Sequence, residues 1–506
     1  MRNFRILFIY PNIRKRGQVP PNITLFSTIL KNNGFITDVF DSTGYEIPNV
    51  GVGYSEEKRL EFMTEKKADR EMSFEDRVDI VGDLNKKIKE FKPDLIAVTT
   101  TESTFLIAEY LLKKIDGEHA PVILGGVFAT SAPEVVIEFK EIDMLCVGEG
   151  EEMLLELCRK MRDGLDYKNV PGLWIKDNER IIKNPIGPPV DINENPTDYD
   201  VGMFDERRHY RPMDGRDGAK LYKLFSVETE RGCPYQCTYC NSPSQQEIYK
   251  SQTGKSFFRK KSMRKVREEI LHYKDNFGAE YIFFWADTFL AMSKREFKEF
   301  YEMYSEIRLP FWIQTRPETM DYTTFVKLKD VGLDRVAIGI EQGNKKFRRE
   351  VLGKKCSNEM YISAAKILHS LDIPFHTFNM IGMPYETPEL VLDTIELNRQ
   401  MNPDDAGCSI FSPFYGTPLR DLCVKEGFID KNVICAGQYE DSPLSMPQFS
   451  SRLIGVMQQT FVTRVRLPKN RWYEIDEAEK GLLLGDNSKW QELRKEFDDS
   501  STCTPH

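Results

Sequence analysis

Short apolar runs alternate with amphipathic segments along most of this 506-residue chain, in two separate blocks. In the first block FRILFIY (4–10), TDVFD (37–41), DLIAVTT (94–100), PVILGGV (121–127) and DMLCVG (143–148) have strand length. Segments such as STFLIAEYLLKKI lie between them with helical periodicity. This alternation predicts a doubly wound parallel sheet, because helical crossovers return the chain to lay each strand parallel to the last. Such a sheet opens its ligand crevice at the carboxyl ends of its strands, which here carry PNIRKRG, TTTES, GGVFATS and GEGEE. A glycine alone closes a tight turn. Four small loops on one edge, two of them rich in hydroxyls, point to a ligand site that would suit a flavin, a nucleotide or a corrin.

The second block begins near residue 224 with the period of a barrel. LFSVETE, YIFFWAD (281–287), FWIQTR (311–316), RVAIGIE (335–341), FHTFNMIG (375–382) and AGCSIFSPF (406–414) are its strand candidates, separated by helices such as MRKVREEILHYKDNF. Six βα units fit a partial (β/α)6 barrel, in which strand ends carry the chemistry. Between the blocks, Pro171, Pro185, Pro188, Pro189 and Pro196 flank a hairpin, GLWIKDNERIIKN, with its turn at Asp177-Asn178. The expected organisation is therefore a first domain over 1–164, a linker with a hairpin over 165–220, the barrel over 221–422, and a substrate-side cap and tail over 423–506.

Composition limits the partners. With 70 Lys and Arg against 79 Asp and Glu, the formal charge is −9 and spread along the chain. That argues against a nucleic-acid groove or an anionic membrane and leaves a small-molecule or peptide substrate. The amino-terminal apolar run is cut short by Pro11, and no stretch approaches the ~20 apolar residues of a membrane span, so a cytoplasmic protein without a transmembrane segment is expected. Ten cysteines are too sparse for a disulfide scaffold.

Three of those cysteines are nevertheless crowded. Residues 228–243 read ETERGCPYQCTYCNSP, with Cys233, Cys237 and Cys240 in one loop after a strand. A structural zinc site closes four ligands, and the nearest histidines, His209 and His272, stand at no finger spacing. A four-iron cluster is held by Cys thiolates, and three of them would leave one iron open.

CxxxCxxC with an aromatic residue, Tyr239, before its last cysteine, after the first strand of a partial barrel, resembles the radical S-adenosylmethionine (SAM) superfamily. The resemblance implies a 4Fe-4S cluster whose open iron binds the amino and carboxylate groups of SAM. Reductive cleavage of SAM would yield a 5′-deoxyadenosyl radical that takes a hydrogen atom from the substrate, with an external electron donor such as flavodoxin or ferredoxin. The first block, a flavodoxin-like domain with TTTES, GGVFAT and VGEGEE loops and a proline linker after it, resembles the cobalamin-binding branch of these enzymes, so the likeness covers roughly residues 4 to 420. It implies that Thr100, Thr101, Gly125, Gly126, Phe128, Gly148 and Glu149 surround the cobalamin tail. One departure stands out. The first of the six histidines is His119, so none can serve in the loop after the first strand, where a DxHxxG motif would supply a cobalt ligand. Cobalamin here would have no histidine lower ligand, as is common in the radical branch.

The same resemblance assigns the remaining strand ends. Asp287 would receive the ammonium of SAM, against the alternative of a helix N-cap. Arg316 and Glu341 would meet the SAM ribose or carboxylate, against a structural ion pair with each other. Ile381, in IGMP, would contact adenine. His376 is a candidate acid or base or a core histidine, and Tyr415 would line the substrate cavity or pack under the cap. The implied activity is a cobalamin-dependent radical SAM C-methyltransferase, with methylcobalamin between the domains and an unactivated carbon as its target. The alternatives are a non-methylating relative that forms, contracts or rearranges rings, and a cobalamin-binding or electron-transfer module without catalysis. The open cysteine triad argues against the module, since an electron carrier prefers four protein ligands.

Overall fold

The computed structural model describes residues 3–14, 18–47, 77–178, 180–215, 218–435, 437 and 441–500. Residues 15–17 of the PNIRKRG loop and the 501–506 tail lie outside them.

Strands β1 (Arg5–Tyr10), β2 (Ile36–Asp41), β3 (Leu95–Thr99), β4 (Val122–Gly125) and β5 (Met144–Cys146) form a parallel sheet in the order β2-β1-β3-β4-β5. Alternate residues feed two cores because helices cover both faces. Ile6, Phe8, Ala97 and Ile123 pack with Ile23, Leu30 and Leu157 on one side. Ile9, Ile96, Val98 and Leu124 pack with Leu84, Phe105 and Leu111 on the other. The hairpin expected in the linker is β6 (Leu173–Asp177) and β7 (Arg180–Lys183), with Asn178 left-handed at φ 58° in its turn. It is not free-standing: β6 pairs antiparallel with β5 and extends the first sheet to seven strands. A hairpin here covers the unpaired backbone that β5 would expose as an edge.

The second sheet contains β8 (Tyr210–Gly215), β9 (Gly218–Glu228), β12 (Tyr281–Trp285), β13 (Phe311–Thr315), β14 (Leu333–Glu341), β15 (Phe375–Ile381) and β16 (Asp405–Ile410), while β10 (Glu230–Arg231) and β11 (Arg259–Lys260) make a separate short ladder. Its order is β16-β15-β14-β13-β12-β9-β8, with β9 and β12 to β16 parallel and β8 antiparallel to β9. The six parallel strands are the expected partial barrel. The residues facing the helices, among them Ile282, Phe284, Ile313, Val336 and Ile338, are buried in its main core. The opposite, inner face stays open in places, with Trp285 46% and Phe378 36% exposed.

The described part of the segment expected to cap the substrate side packs in two places: the Cys435 amide bonds Glu102 of the first domain at 2.9 Å, and the long helix that follows lies on the barrel. Helix Ser451–Arg466 lies against β16 and helix Pro388–Met401, and a Cβ added at Gly382 (φ 84°) would come within 2.9 Å of Ile454. The basic run 464–471 is neutralised by its own neighbours: Arg464 reaches Asp476 at 2.8 Å and Arg471 reaches Glu474 at 2.7 Å. No described helix is long and apolar enough to cross a membrane.

Candidate active site between the two sheets

A cavity of about 950 Å³ lies where the carboxyl edge of the first sheet faces the mouth of the barrel. Thr100, Thr101, Gly125, Gly126, Phe128, Gly148 and Glu149 line it from one side, and Tyr239, Cys240 and Asp287 from the other, with Tyr415 at the junction. The two blocks of sequence thus converge on one space.

The cysteine loop joins β10 to the helix Asn241–Thr253, which Cys240 caps by accepting the Ser242 amide at 3.4 Å. Cys233 lies 3.8 Å from the Thr288 hydroxyl, and Cys237 accepts Arg316 Nη1 at 3.3 Å. Burial pushes the Cys233 thiol up to about 11 and Cys240 up to about 12. Thiols held this high ionise when a metal takes the sulfur. Among the described residues no three His, Cys, Asp or Glu side chains converge on a single ion-sized point. The fit to a cluster therefore rests on the donor set, three soft sulfurs in one loop beside a cavity.

Asp287 opens onto that cavity and accepts the Ser242 hydroxyl at 2.7 Å, and burial raises its carboxyl above the usual range. Beside it Glu230 is 5% exposed and accepts the Thr288 amide at 3.1 Å. Burial, helped by the charge of Asp287, pushes Glu230 up to about 8. A pair of carboxyls at the barrel mouth suits a cationic group such as an ammonium.

Arg316 and Glu341 do not pair with each other. Arg316 takes Glu318, two residues on in the same turn, at 2.7 Å, while Glu341 takes Lys354 at 3.2 Å and the Tyr239 hydroxyl at 3.2 Å. Neither lines the cavity. Glu341 follows a bulge in β14 and sits at φ 66°, a strained backbone for glutamate that these partners hold in place.

On the first sheet's edge, Gly126 (φ 103°) brings its backbone so close to β3 that an added Cβ would lie 2.3 Å from the Thr100 carbonyl oxygen. Only glycine fits there, and it leaves an open cradle above the strand end. The Thr100 hydroxyl is buried and has no hydrogen-bond partner among the described residues, a donor and acceptor left for a ligand. The Thr101 amide instead donates to the Thr104 hydroxyl oxygen at 3.2 Å, at the start of helix Glu102–Leu112. Phe128 packs edge-on to Phe105 at 5.0 Å. This cradle, with its unsatisfied hydroxyl, fits the polar tail of a corrin. His119 is remote from it, preceding β4 at the opposite end of the sheet, where it bonds the Ala120 carbonyl.

Other expected residues have different surroundings. Ile381 is fully buried in the core under helix Ser451–Arg466, its carbonyl accepts the Phe411 amide at 2.8 Å, and its neighbour Met380 faces the cavity. His376 stacks edge-on between Trp312 (5.2 Å) and Phe378 (4.8 Å) within the barrel and does not line the cavity. The Tyr415 hydroxyl donates to the Lys431 carbonyl at 2.5 Å, and Arg420 lies 3.6 Å over its ring. Glu149 lines the cavity, yet its carboxylate pairs with Arg231 and Arg259 of the barrel domain.

Sequence reasoning missed the residues that weld the domains together. Arg231 also meets Glu151 at 2.6 Å and Glu228 at 2.9 Å. Buried Glu102 accepts the Tyr415 amide at 2.7 Å and the Cys435 amide at 2.9 Å. The signal available was a charged residue in an apolar or glycine-rich loop, which names no partner.

Residues 36–158 match the B12 binding domain and residues 227–397 the Radical SAM superfamily. An uncharacterized methyltransferase of Pyrococcus horikoshii is 30% identical over 355 residues, 69% of this chain and 73% of that protein. The anaerobic magnesium-protoporphyrin IX monomethyl ester cyclase of Cereibacter sphaeroides is 26% identical over 351 residues, 66% of this chain, and the chain spans 54% of that longer protein. Among solved structures, the radical SAM methyltransferase TsrM from Kitasatospora setae, with cobalamin and a 4Fe-4S cluster bound, shares the fold at a TM-score of 0.61 and 18% identity, over 93% of this chain and 82% of that one.

Proposed function

The chain belongs to the cobalamin-binding radical SAM enzymes, and we propose that within that family it methylates an unactivated carbon of a small-molecule or peptide substrate. The observation that carries this reading is the single cavity bounded by both the cysteine loop and the glycine-rich edge of the first sheet. A substrate held there lies within reach of both cofactors. When bound, the cluster with SAM supplies a 5′-deoxyadenosyl radical and cobalamin supplies a transferable methyl group.

The protein's own contribution is positioning and the exclusion of water. Cys233, Cys237 and Cys240 hold the cluster. Asp287, locked by Ser242, and its neighbour Glu230 hold the ammonium of SAM against the barrel mouth. Thr100 and the cradle at Gly126 would hold the cobalamin tail, and the loop after β1 has no histidine to offer as a ligand. Trp285 and Met380, on cavity-lining strand ends, give the substrate an apolar surface. Arg231 and Glu102 fix the two domains so that this cavity keeps its shape. Electrons come from an external donor of the flavodoxin or ferredoxin class.

The likeness to a cyclase supports a second reading, a ring-forming reaction without methyl transfer. One experiment separates the two. Anaerobically reconstituted protein with cobalamin, reductant and methyl-labelled SAM is incubated with metabolite extract from cells lacking the protein. Methyl transfer gives adenosylhomocysteine and deoxyadenosine together, with label in a product one methyl group heavier. Deoxyadenosine and a new unlabelled product, with adenosylhomocysteine at background, would replace methylation by cyclisation.

A further inference from the structure

Arg316 leaves β13 and turns its guanidinium into the cysteine loop, where it is 9% exposed. Nη1 donates to Cys237 Sγ at 3.3 Å, Nη2 to Cys356 Sγ at 3.5 Å, and Nε to Glu318 at 2.7 Å. Its face lies 3.9 Å from the centre of the Tyr235 ring. Cys356 closes the circle by donating to the second Glu318 oxygen at 2.8 Å. With three nitrogens bonded and one face stacked, the planar fork has a fixed position. The contacts of the other two loop cysteines are with neutral groups, the Thr288 hydroxyl and the Ser242 amide.

We propose that Arg316, opposed by its counter-charge Glu318, is a positioning residue that sets the reduction potential of the iron–sulfur cluster. This rests on the reading that Cys233, Cys237 and Cys240 hold that cluster. Reduction is the uptake of one electron from a low-potential donor, and it adds negative charge to the irons and their thiolates. A cation hydrogen-bonded to one thiolate stabilises the reduced form more than the oxidised form and raises the potential. In this enclosed site water screens the interaction little. Glu318 acts in the opposite sense, and because it is bonded to the far side of the guanidinium the pair presents its positive end to Cys237. The assignment moves Arg316 away from SAM, in agreement with its place outside the cavity wall.

The test is a redox titration of the reconstituted full chain followed by electron paramagnetic resonance, with iron measured in each sample. In Arg316→Met the midpoint should move to more negative potential, on the order of a tenfold change in the reduced-to-oxidised ratio at a fixed potential, about 59 mV for a one-electron couple. Glu318→Gln should move it the other way, and Arg316→Lys, which keeps the charge without the fork, should fall between Met and wild type. A residue that only supports the fold would change iron content or stability in the same sense in all three variants without opposing shifts. An iron-replete Arg316→Met at the wild-type midpoint overturns the proposal, as does a negative shift in Glu318→Gln. Should Arg316→Met not retain iron, the sign of the Glu318→Gln shift decides. Wild-type protein that binds no iron–sulfur cluster would overturn the reading of the cysteines instead, a result distinct from a loaded cluster whose potential does not move.

Discussion

Glu149 of the first domain and Arg231 of the barrel domain form an ion pair across the domain boundary, two residues ahead of Cys233. The loop expected to meet cobalamin and the loop expected to hold the cluster are therefore tied by one guanidinium, which Glu151 and Glu228 also share. Replacing Arg231 with Met would leave Glu149, Glu151 and Glu228 close together with little water around them, with Arg259 still on Glu149 and Lys261 on Glu228 but Glu151 without its guanidinium. A loss on the order of 3–5 kcal/mol is expected in urea unfolding of the apo chain, with poorer iron retention on reconstitution. Glu149→Gln leaves Arg231 two partners and should cost about 1 kcal/mol. A wild-type urea midpoint for Arg231→Met would show that the network is not what joins the domains.

Gly126→Ala tests the cradle. The new methyl meets the Thr100 carbonyl and the backbone holds a φ that alanine resists, so a stability loss of about 1–3 kcal/mol is expected. The strand end would have to shift, and hydroxocobalamin retained after gel filtration should fall severalfold while iron content stays at the wild-type level. Loss of iron with full cobalamin retention would reverse the assignment of the two edges.

Much of this arrangement was legible because it follows from period and spacing. The strands of the first sheet, with helices on both faces, and those of the barrel, with helices on the outer face, carry short apolar runs between helical patterns, and the cysteine triad is a local pattern. What was not legible depends on partners distant in sequence or on a single step of register. Strand β8 looks like a loop because an edge strand needs few apolar residues, and nothing in the hairpin says that it will pair with β5. Arg316 and Glu341 read as charges needing partners, but nothing local says that the partners are Glu318 and Lys354, supplied by neighbouring turns. At the end of β15 an apolar run hides the parity of the strand: Met380 takes the cavity side and Ile381 the core.

Thr100→Val separates ligand binding from folding. The hydroxyl makes no hydrogen bond among the described residues, so its loss should leave stability within about 0.5 kcal/mol of wild type. If it bonds the cobalamin tail, the affinity should weaken by the value of one hydrogen bond, about 0.5–1.5 kcal/mol or roughly two- to tenfold, measured by spectrophotometric titration with hydroxocobalamin. Unchanged affinity would remove Thr100 from the site.

Glu386 gives the strand end after β15 a pH dependence. Its carboxylate is fully buried and accepts the Gly382 amide at 2.6 Å, the Met383 amide at 3.1 Å and the Gln342 side chain at 2.8 Å. Burial outweighs these bonds and pushes the group from 4.5 up to about 7. Between those values the folded chain keeps a proton that the unfolded chain has released. The stabilisation is therefore fully present below pH 4.5 and is lost as the pH rises through 7. A rise of this size corresponds to roughly 3 kcal/mol. Glu102, raised to about 7, and Glu230, raised to about 8, act in the same sense, so wild-type stability alone cannot isolate one group. The difference between wild type and Glu386→Gln can. Glutamine resembles the protonated acid, keeps an oxygen for the two amides, and gives up the bond from Gln342 at about 1 kcal/mol. Urea midpoints of the apo chain at pH 4.5, 6 and 8 should show the variant gaining on wild type as the pH rises, slightly weaker at the first value and clearly more stable at the last. A difference that stays constant across the three would mean that Glu386 titrates in the folded chain as it does in the unfolded one, and that the amides of Gly382 and Met383 offset its burial after all.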